Sequence, residues 1–258
     1  RHIDPDKIVA LGAALQADAL CNKNSENLLL DVTPLSLGIE MMGGLVEKII
    51  ERNSTIPISA SKEFTTYIDG QSAMKLHIVQ GERELAKDCH SLASFNIHDI
   101  PPLKAGVARI KLVLTIDADG LLTVSATEQT TKQKQVIEVK PTYGLDDAQI
   151  KDILLESLKN SKDDMANRLL IESKVESKRN IIAFEAALKE HSNLLEKDEI
   201  SNIKTQIKTL ESAIDGNDKA KIDLESQNLE KWAGILAQRQ MNQEIAKSLI
   251  GKKIDDIN

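Results

Sequence analysis

Apolar and polar positions change period twice along this chain. Near the start, Ile8, Val9, Leu11, Ala13, Ala14, Leu15, Ala17 and Leu20 surround most of the circumference of a helix. Asp4 can cap that helix and Pro5 suits its first turn. A helix apolar nearly all round has to be buried on several sides, and Gly12-Ala13-Ala14 would allow close approach, yet nothing that follows offers a cradle. From residue 31 the period drops to two. Leu35, Leu37 and Ile39 alternate with Ser36, Gly38 and Glu40; Met74, Leu76 and Ile78 with Lys75 and His77; Ile110, Leu112, Leu114 and Ile116 with Arg109, Lys111 and Thr115. Leu122–Ala126 and Val136–Val139 add two shorter candidates. With Asp69-Gly70, Pro101-Pro102 and Asp119-Gly120 as turns, the spacing predicts antiparallel strands in two layers.

After residue 144 the pattern becomes helical. Asp146 and Gln149 form a capping-box pair, followed by a stripe of Ile150, Ile153, Leu154 and Leu158. A second stripe holds Leu169, Leu170, Val175, Ile181, Ile182, Phe184 and Leu188. Asp215-Gly216-Asn217-Asp218 interrupts, and a last helix carries Leu224, Leu229, Trp232, Leu236 and Ile245. The charge on the opposite faces reads as solvated surface.

Composition narrows the function classes. With 258 residues, 41% hydrophobic and 28% charged, the chain suits one or two globular domains. A net charge of -7 without a dense Lys/Arg patch argues against nucleic acid. Aromatics are only 2%, so any core is aliphatic. Cys21 and Cys89 form neither metal spacing nor a disulfide framework, which suits a reducing cytoplasm. No segment reaches membrane-spanning length. The start at Arg1 and the uncradled first helix lead us to expect a piece of a longer protein.

Reaction chemistry is thin. There is no Gly-rich phosphate loop, dinucleotide fingerprint or Gly-x-Ser-x-Gly elbow. His2, His77, His90, His98 and His191 are scattered, and His77 reads as an ordinary strand residue. Asp117, Asp119 and Glu128 fall at positions one, three and twelve of a calcium loop, but Leu122 stands where that loop needs glycine. Asp119-Gly120 is the better hairpin turn. The chain is expected to hold something rather than transform it.

The run Leu28-Leu29-Leu30-Asp31-Val32-Thr33-Pro34-Leu35-Ser36-Leu37-Gly38-Ile39-Glu40 resembles the interdomain linker and first substrate-domain strand of DnaK-type heat-shock chaperones. Asn53–Pro57, Phe64–Thr66, Gln71–Ala73, His77–Arg83 and Ile116–Gly120 continue the resemblance in order. Pro5–Ala14 resembles the last helix of that family's nucleotide-binding domain. The resemblance implies an α+β fold: an antiparallel β-sandwich peptide-binding domain, then an α-helical lid or bundle, preceded by one helix left over from a nucleotide-binding domain. The implied bounds are 1–22 for that helix, 23–31 for a linker containing Leu28, Leu29, Leu30 and Asp31, 32–143 for the sandwich and 144–258 for the lid.

Carried over by position, the resemblance implies that Leu37, Ile39, Phe64, Met74, Leu76 and Ile110 line a central pocket. Met42 and Tyr67 would arch over a bound peptide, and backbone groups at Met41, Thr65, Tyr67 and Gln71 would bind its main chain. Without the resemblance, the apolar members read as core. An aromatic at position 67 and the run from Arg239 to Ile257 resemble the HscA type, which is dedicated to iron–sulfur cluster assembly. Ala105 and Lys178 stand where a general chaperone has an Arg–Asp latch, so closure is expected to rest on other contacts. The implied function is capture of extended apolar peptide, with no enzyme activity, no cofactor and no metal in this stretch; ATP and magnesium belong to the full-length protein. Implied partners are an iron–sulfur scaffold client and a J-domain cochaperone, with no nucleic acid or membrane. Self-association could arise through the linker, lid or first helix. Two alternatives stay open: a general housekeeping chaperone, and a non-catalytic assembly protein.

Overall fold

The structure is a computed structural model describing residues 5–21, 31–139 and 145–249. Its elements are α1 (Pro5–Cys21), β1 (Leu37–Glu40), β2 (Val46–Ile50), β3 (Ile58–Thr65), β4 (Met74–Gln80), β5 (His90–Ile97), β6 (Arg109–Ile116), β7 (Leu122–Glu128), β8 (Lys134–Val139), α2 (Asp147–His191), α3 (Lys197–Asp215) and α4 (Lys219–Leu249). The strands form two four-stranded sheets, ordered β2-β1-β4-β5 and β3-β6-β7-β8. Every pairing between them is antiparallel.

The strongest alternation gives the most regular strand. In β6, Ile110, Leu112, Leu114 and Ile116 are buried, while Arg109, Lys111 and Thr115 face out. They meet Leu37, Ile39, Leu76, Ile78 and Ile97 of the other sheet in one aliphatic cluster. Burying each such side chain stabilises by roughly 1.5–3 kcal/mol. The β6–β7 turn is shaped by Asp117, whose Oδ1 accepts from the amides of Asp119 and Leu121, both at 2.9 Å. Gly120 supplies a φ of +76° there. Glu128 lies at the far end of β7, six residues and about 20 Å of strand from that turn, so the calcium pattern does not converge on one site.

The chain divides into two compact units. One holds residues up to Glu40, Val46–Glu82 and Asp88–Glu156; the other holds Met41–Leu45, Arg83–Lys87 and the residues from Ser157 on. In the second unit, Ile181 and Phe184 of α2 join Ile203, Ile207 and Leu210 of α3 and Ile222, Leu229 and Leu236 of α4 in a separate cluster. The Asp146 capping box is complete: the Gln149 amide donates to Asp146 Oδ1 at 2.8 Å, and the Asp146 amide donates to Gln149 Oε1 at 2.9 Å. Glu196 and Glu199 form a second box at the start of α3.

The first helix lacks a cradle, as its sequence implied: Ile8, Val9, Leu11 and Leu15 are 50–77% exposed, with no described residue covering them. Two expectations from the pattern need correction. The polar side of the first strand does not face solvent at Ser36 and Gly38. Ser36 is closed in by Glu82, whose carboxylate accepts from its amide at 2.7 Å and its hydroxyl at 3.1 Å. Gly38 is closed in by β2, where a β-bulge shifts the register between Leu37 and Gly38. The two stripes read between residues 150 and 188 lie on one 45-residue helix, and Leu158 and Ile182 point to solvent.

A methyl at Gly38 would stand 2.5 Å from the carbonyl oxygen of Glu47, a backbone atom that cannot swing away. Gly38→Ala should therefore cost on the order of 1–3 kcal/mol, the range for overpacking, measured by urea denaturation. Gly12→Ala, whose added Cβ meets nothing within 4 Å, should leave stability unchanged or slightly raised.

Candidate functional site

In the two-sheet unit the apolar candidates come together. Leu37 and Ile39 on β1, Leu76 on β4, and Phe64 on β3 beside Ile110 on β6 all belong to the aliphatic cluster, with Met74 packed against it. Leu37, Ile39, Leu76 and Ile110 are closed to within 2%. Phe64, at the end of β3, retains 8%, and Met74, at the start of β4, is half-buried. The loop 66–73, exposed at Ile68–Gly70 and at Ser72 and Ala73, joins those two strand ends. Access to the cluster from this loop therefore passes Phe64 and Met74.

The loop is tied by its own side chains. Gln71 accepts from the Tyr67 amide through Oε1 at 3.0 Å and donates through Nε2 to the Ala73 carbonyl at 2.9 Å. Asp69 Oδ1 accepts from the Ala105 amide at 2.7 Å. The Tyr67 amide is thus already engaged, and a guest chain would have to compete with Gln71 for it. Thr65 pairs with Arg109 in the β3–β6 ladder. Tyr67 is half-buried and Ile68 is 47% exposed.

Met41 and Met42 belong to the other unit, where they are 38% and 52% exposed. The Met41 amide donates to Leu45 O at 2.7 Å, and its carbonyl accepts from Gly44 at 3.0 Å. Leu28, Leu29 and Leu30 lie outside the described residues. Asp31 is described; its carboxylate accepts from the Val32 amide at 2.8 Å.

The structure also shows polar devices that sequence spacing did not reveal. His77 is more than a strand residue: Nδ1 lies 2.5 Å from Glu40 Oε2 and Nε2 lies 2.7 Å from Ser91 Oγ, a ladder across β1, β4 and β5. Glu128 is fully buried, and its Oε2 accepts from the amides of Thr130 and Thr131 and from the Thr131 hydroxyl. Burial pushes its carboxyl up, but the donors of Thr131 and Thr130 outweigh that and hold it below the usual range.

In the second unit, Arg83 grips Asp164 with one edge of its guanidinium, Nε donating to Oδ2 at 2.5 Å and Nη2 to Oδ1 at 2.9 Å. Arg168 Nη1 donates to Glu84 Oε2 at 2.6 Å. Leu45 and Leu85 form an isolated antiparallel bridge, and Gly43 leaves room for Ile171 and Val175, which an added Cβ would strike at 2.5 and 3.0 Å. Two short loops are thereby fastened to α2 within this unit. Arg83 ends the segment His77–Arg83 that carries the family resemblance, but nothing in sequence points to a partner 81 residues away.

The Arg83 hydrogen bonds hold the Asp164 carboxyl below the usual aspartate range, against the opposing push of burial. A carboxyl depressed on folding contributes stability above its unfolded pKa and loses it as pH falls through the folded value. Arg83→Ala should cost about 1.5–3 kcal/mol at neutral pH, the range for hydrogen bonds to charged groups. Its deficit against the parent should shrink as the pH drops below the ordinary aspartate range. Thermal melts at a series of pH values test this; a deficit constant with pH would sink it.

Comparison with known proteins supplies the remaining findings. A match to the family described as Hsp70 protein spans residues 1–242. Among curated relatives, the chaperone protein HscA of Proteus mirabilis is 48% identical over 257 residues, and that of Photorhabdus laumondii is 49% identical. A chaperone protein HscA homolog of Mannheimia succiniciproducens is 50% identical. Each alignment covers 99% of this chain and 42% of the relative.

These findings correct three expectations. The expected division into a leftover helix, a peptide-binding sandwich and a lid does not hold. The Hsp70 match runs unbroken from residue 1 through both compact units and sets off no such modules; what stands is the observed arrangement of sheets and helices. The expectations of no enzyme activity and no cofactor fall for the same reason. The match attaches residues 1–242 as a whole to a family whose resemblance carries ATP and magnesium, so neither expectation stands. Among the described residues, no group of three or more His, Cys, Asp or Glu side chains could hold a metal. Gly38 and Gly43 abut protein atoms rather than framing a phosphate cradle.

Proposed function

Because the chain belongs to the Hsp70 family, we propose that it serves a chaperone of the HscA kind by capturing extended apolar segments of client proteins on its two-sheet unit. The single observation that carries this reading is the edge formed by Phe64 and Met74. They are the members of the apolar set that are not fully closed, and an exposed loop bearing Tyr67 and Gln71 stands beside them.

Capture would proceed in two parts. A guest side chain of leucine size displaces Met74 and packs on Phe64 and Ile110, with Leu37, Ile39 and Leu76 behind them. Its burial is worth roughly 1.5–3 kcal/mol, enough to choose apolar residues but too little for tight binding. Main-chain groups of the guest then pair with backbone at Thr65 and with Tyr67, whose amide Gln71 releases; such pairing gives affinity without reading sequence. Tyr67 covers the guest with an amphipathic ring.

The chain spans 42% of the length of the relatives it matches, so the whole protein's cycle belongs to this proposal. The cycle would release the guest under ATP control in the cytoplasm, take an iron–sulfur scaffold protein as client, and receive it from a J-domain cochaperone. In domain terms, residues 23–31 connect, 32–143 capture and 144–258 carry the helices.

Met74→Trp should abolish binding of a fluorescently labelled apolar peptide while the protein still melts cooperatively. Unchanged affinity in that variant would move the site elsewhere. A peptide array separates the specialist from a general chaperone: one dominant proline-containing motif supports the first, and broad leucine-rich binding overturns it.

A further inference from the structure

In the second unit, α2 and α4 border a groove that the function above does not use. Leu169 and Glu172 face Lys219 and Asp223 at one end, and Phe184 and Ala187 face Leu236 and Gln240 at the other. The helices therefore run in the same direction along it. From residue 169 to 187 it extends roughly 27 Å, at 1.5 Å per residue.

Its two halves differ in chemistry. The later half is apolar: Phe184, Leu229 and Leu236 form an almost closed floor, and Ala183, Ala187, Ala233 and Ala237 form the walls. Helix pairs ordinarily fill such positions with larger aliphatic side chains. Alanine at all four leaves a hollow of about 300 Å³. The earlier half is acidic, with Glu172, Glu176, Asp223 and Glu230 against the single cation Lys219. Two of those acids are engaged, Glu172 by Arg168 at 2.8 Å and Asp223 by Lys219 and by the Ser173 hydroxyl at 2.6 Å. Glu176 and Glu230 have no hydrogen bond or ion pair among the described residues, and they flank the groove from opposite helices.

We propose that this groove docks an amphipathic helix of a partner protein. The helix would lay aliphatic side chains, spaced by one turn, between the alanine walls and place Lys or Arg side chains between Glu176 and Glu230. An apolar stripe read at i, i+3, i+4 and i+7 is how a helix fills a groove between helices. Two unpaired carboxylates a turn or two away choose a cationic partner and reject an acidic one. The site is separate from the Phe64–Met74 edge and does not depend on the reading given there.

The test uses the full chain and a labelled synthetic helical peptide with Leu and Ala at that spacing and two lysines in its first half. Anisotropy should show saturable binding that weakens as ionic strength passes about 0.15 M, where the Debye length is roughly 8 Å. Glu176→Lys with Glu230→Lys should weaken binding at least about tenfold, some 1.4 kcal/mol. Ala187→Leu with Ala233→Leu, which fills the hollow, should do the same. The charge pair lies on exposed surface, so it keeps the test intact should the filled variant fold poorly. Met74→Trp should leave the affinity unchanged. The proposal is overturned by any of four results: no saturable binding, equal affinity for a peptide with glutamates in place of lysines, insensitivity to the charge reversal, or loss of binding in Met74→Trp. Self-association of the parent that the charge reversal abolishes would assign the groove to a second copy and likewise overturn it.

Discussion

The two sheets hold together through an aliphatic core that has almost no aromatic side chains to fill it. With aromatics at 2% of the chain, Leu, Ile and Val must reach close packing by interlocking small branched shapes. Leu37, Ile78, Ile97, Ile110, Leu112, Leu114, Leu122 and Val124 do so at 0–1% exposure. Because those positions are closed, both the Tyr67–Gln71 loop and the half-buried Met74 sit at the rim of a rigid body. A guest can gain entry only where the core ends. The proposed capture edge is thus a consequence of tight packing elsewhere.

The second unit is built on other terms. Its helices bury a small set of residues and leave many large apolar side chains exposed, and its two short loops are fastened by charge. Arg83 with Asp164 and Arg168 with Glu84 are directional and partly sheltered from water. A bidentate guanidinium–carboxylate pair fixes orientation as well as distance, which suits loops that carry little apolar surface of their own. The Gly43 contact with Ile171 and Val175 adds shape where charge gives only position.

What the sequence made legible follows from how local each signal is. β6 and β4 could be read because apolar residues recur at every second position, over eight positions in β6 and five in β4, and the Asp146 box because its partners are three residues apart. β3, β5 and β2 escaped notice for separate reasons. β3 carries only Ile58, Ala60 and Phe64 among polar residues; β5 mixes its faces at Leu92 and Ala93; β2 is broken by the bulge opposite Gly38. The apolar candidates were found, but pattern alone could not tell a pocket from a core, and most of them are core as they stand. The Arg83–Asp164 pair was out of reach, since no periodicity links residues 81 apart. The family resemblance located the chain correctly among Hsp70 proteins and was too sharp in labelling modules and denying cofactors.

The polar ladder of Glu40, His77 and Ser91 has a bearing on how the first sheet finds its alignment. An antiparallel strand that slides by one residue still makes hydrogen bonds but turns every side chain to the wrong face. Were β1 to slide against β4, Ile39 would arrive beside the imidazole and Glu40 would be pushed among the aliphatic residues. An ionised group stranded there costs several kcal/mol. Three hydrophilic side chains on the outer surface thereby act as a proofreading mark for strand pairing, penalising misaligned forms more than they reward the correct one.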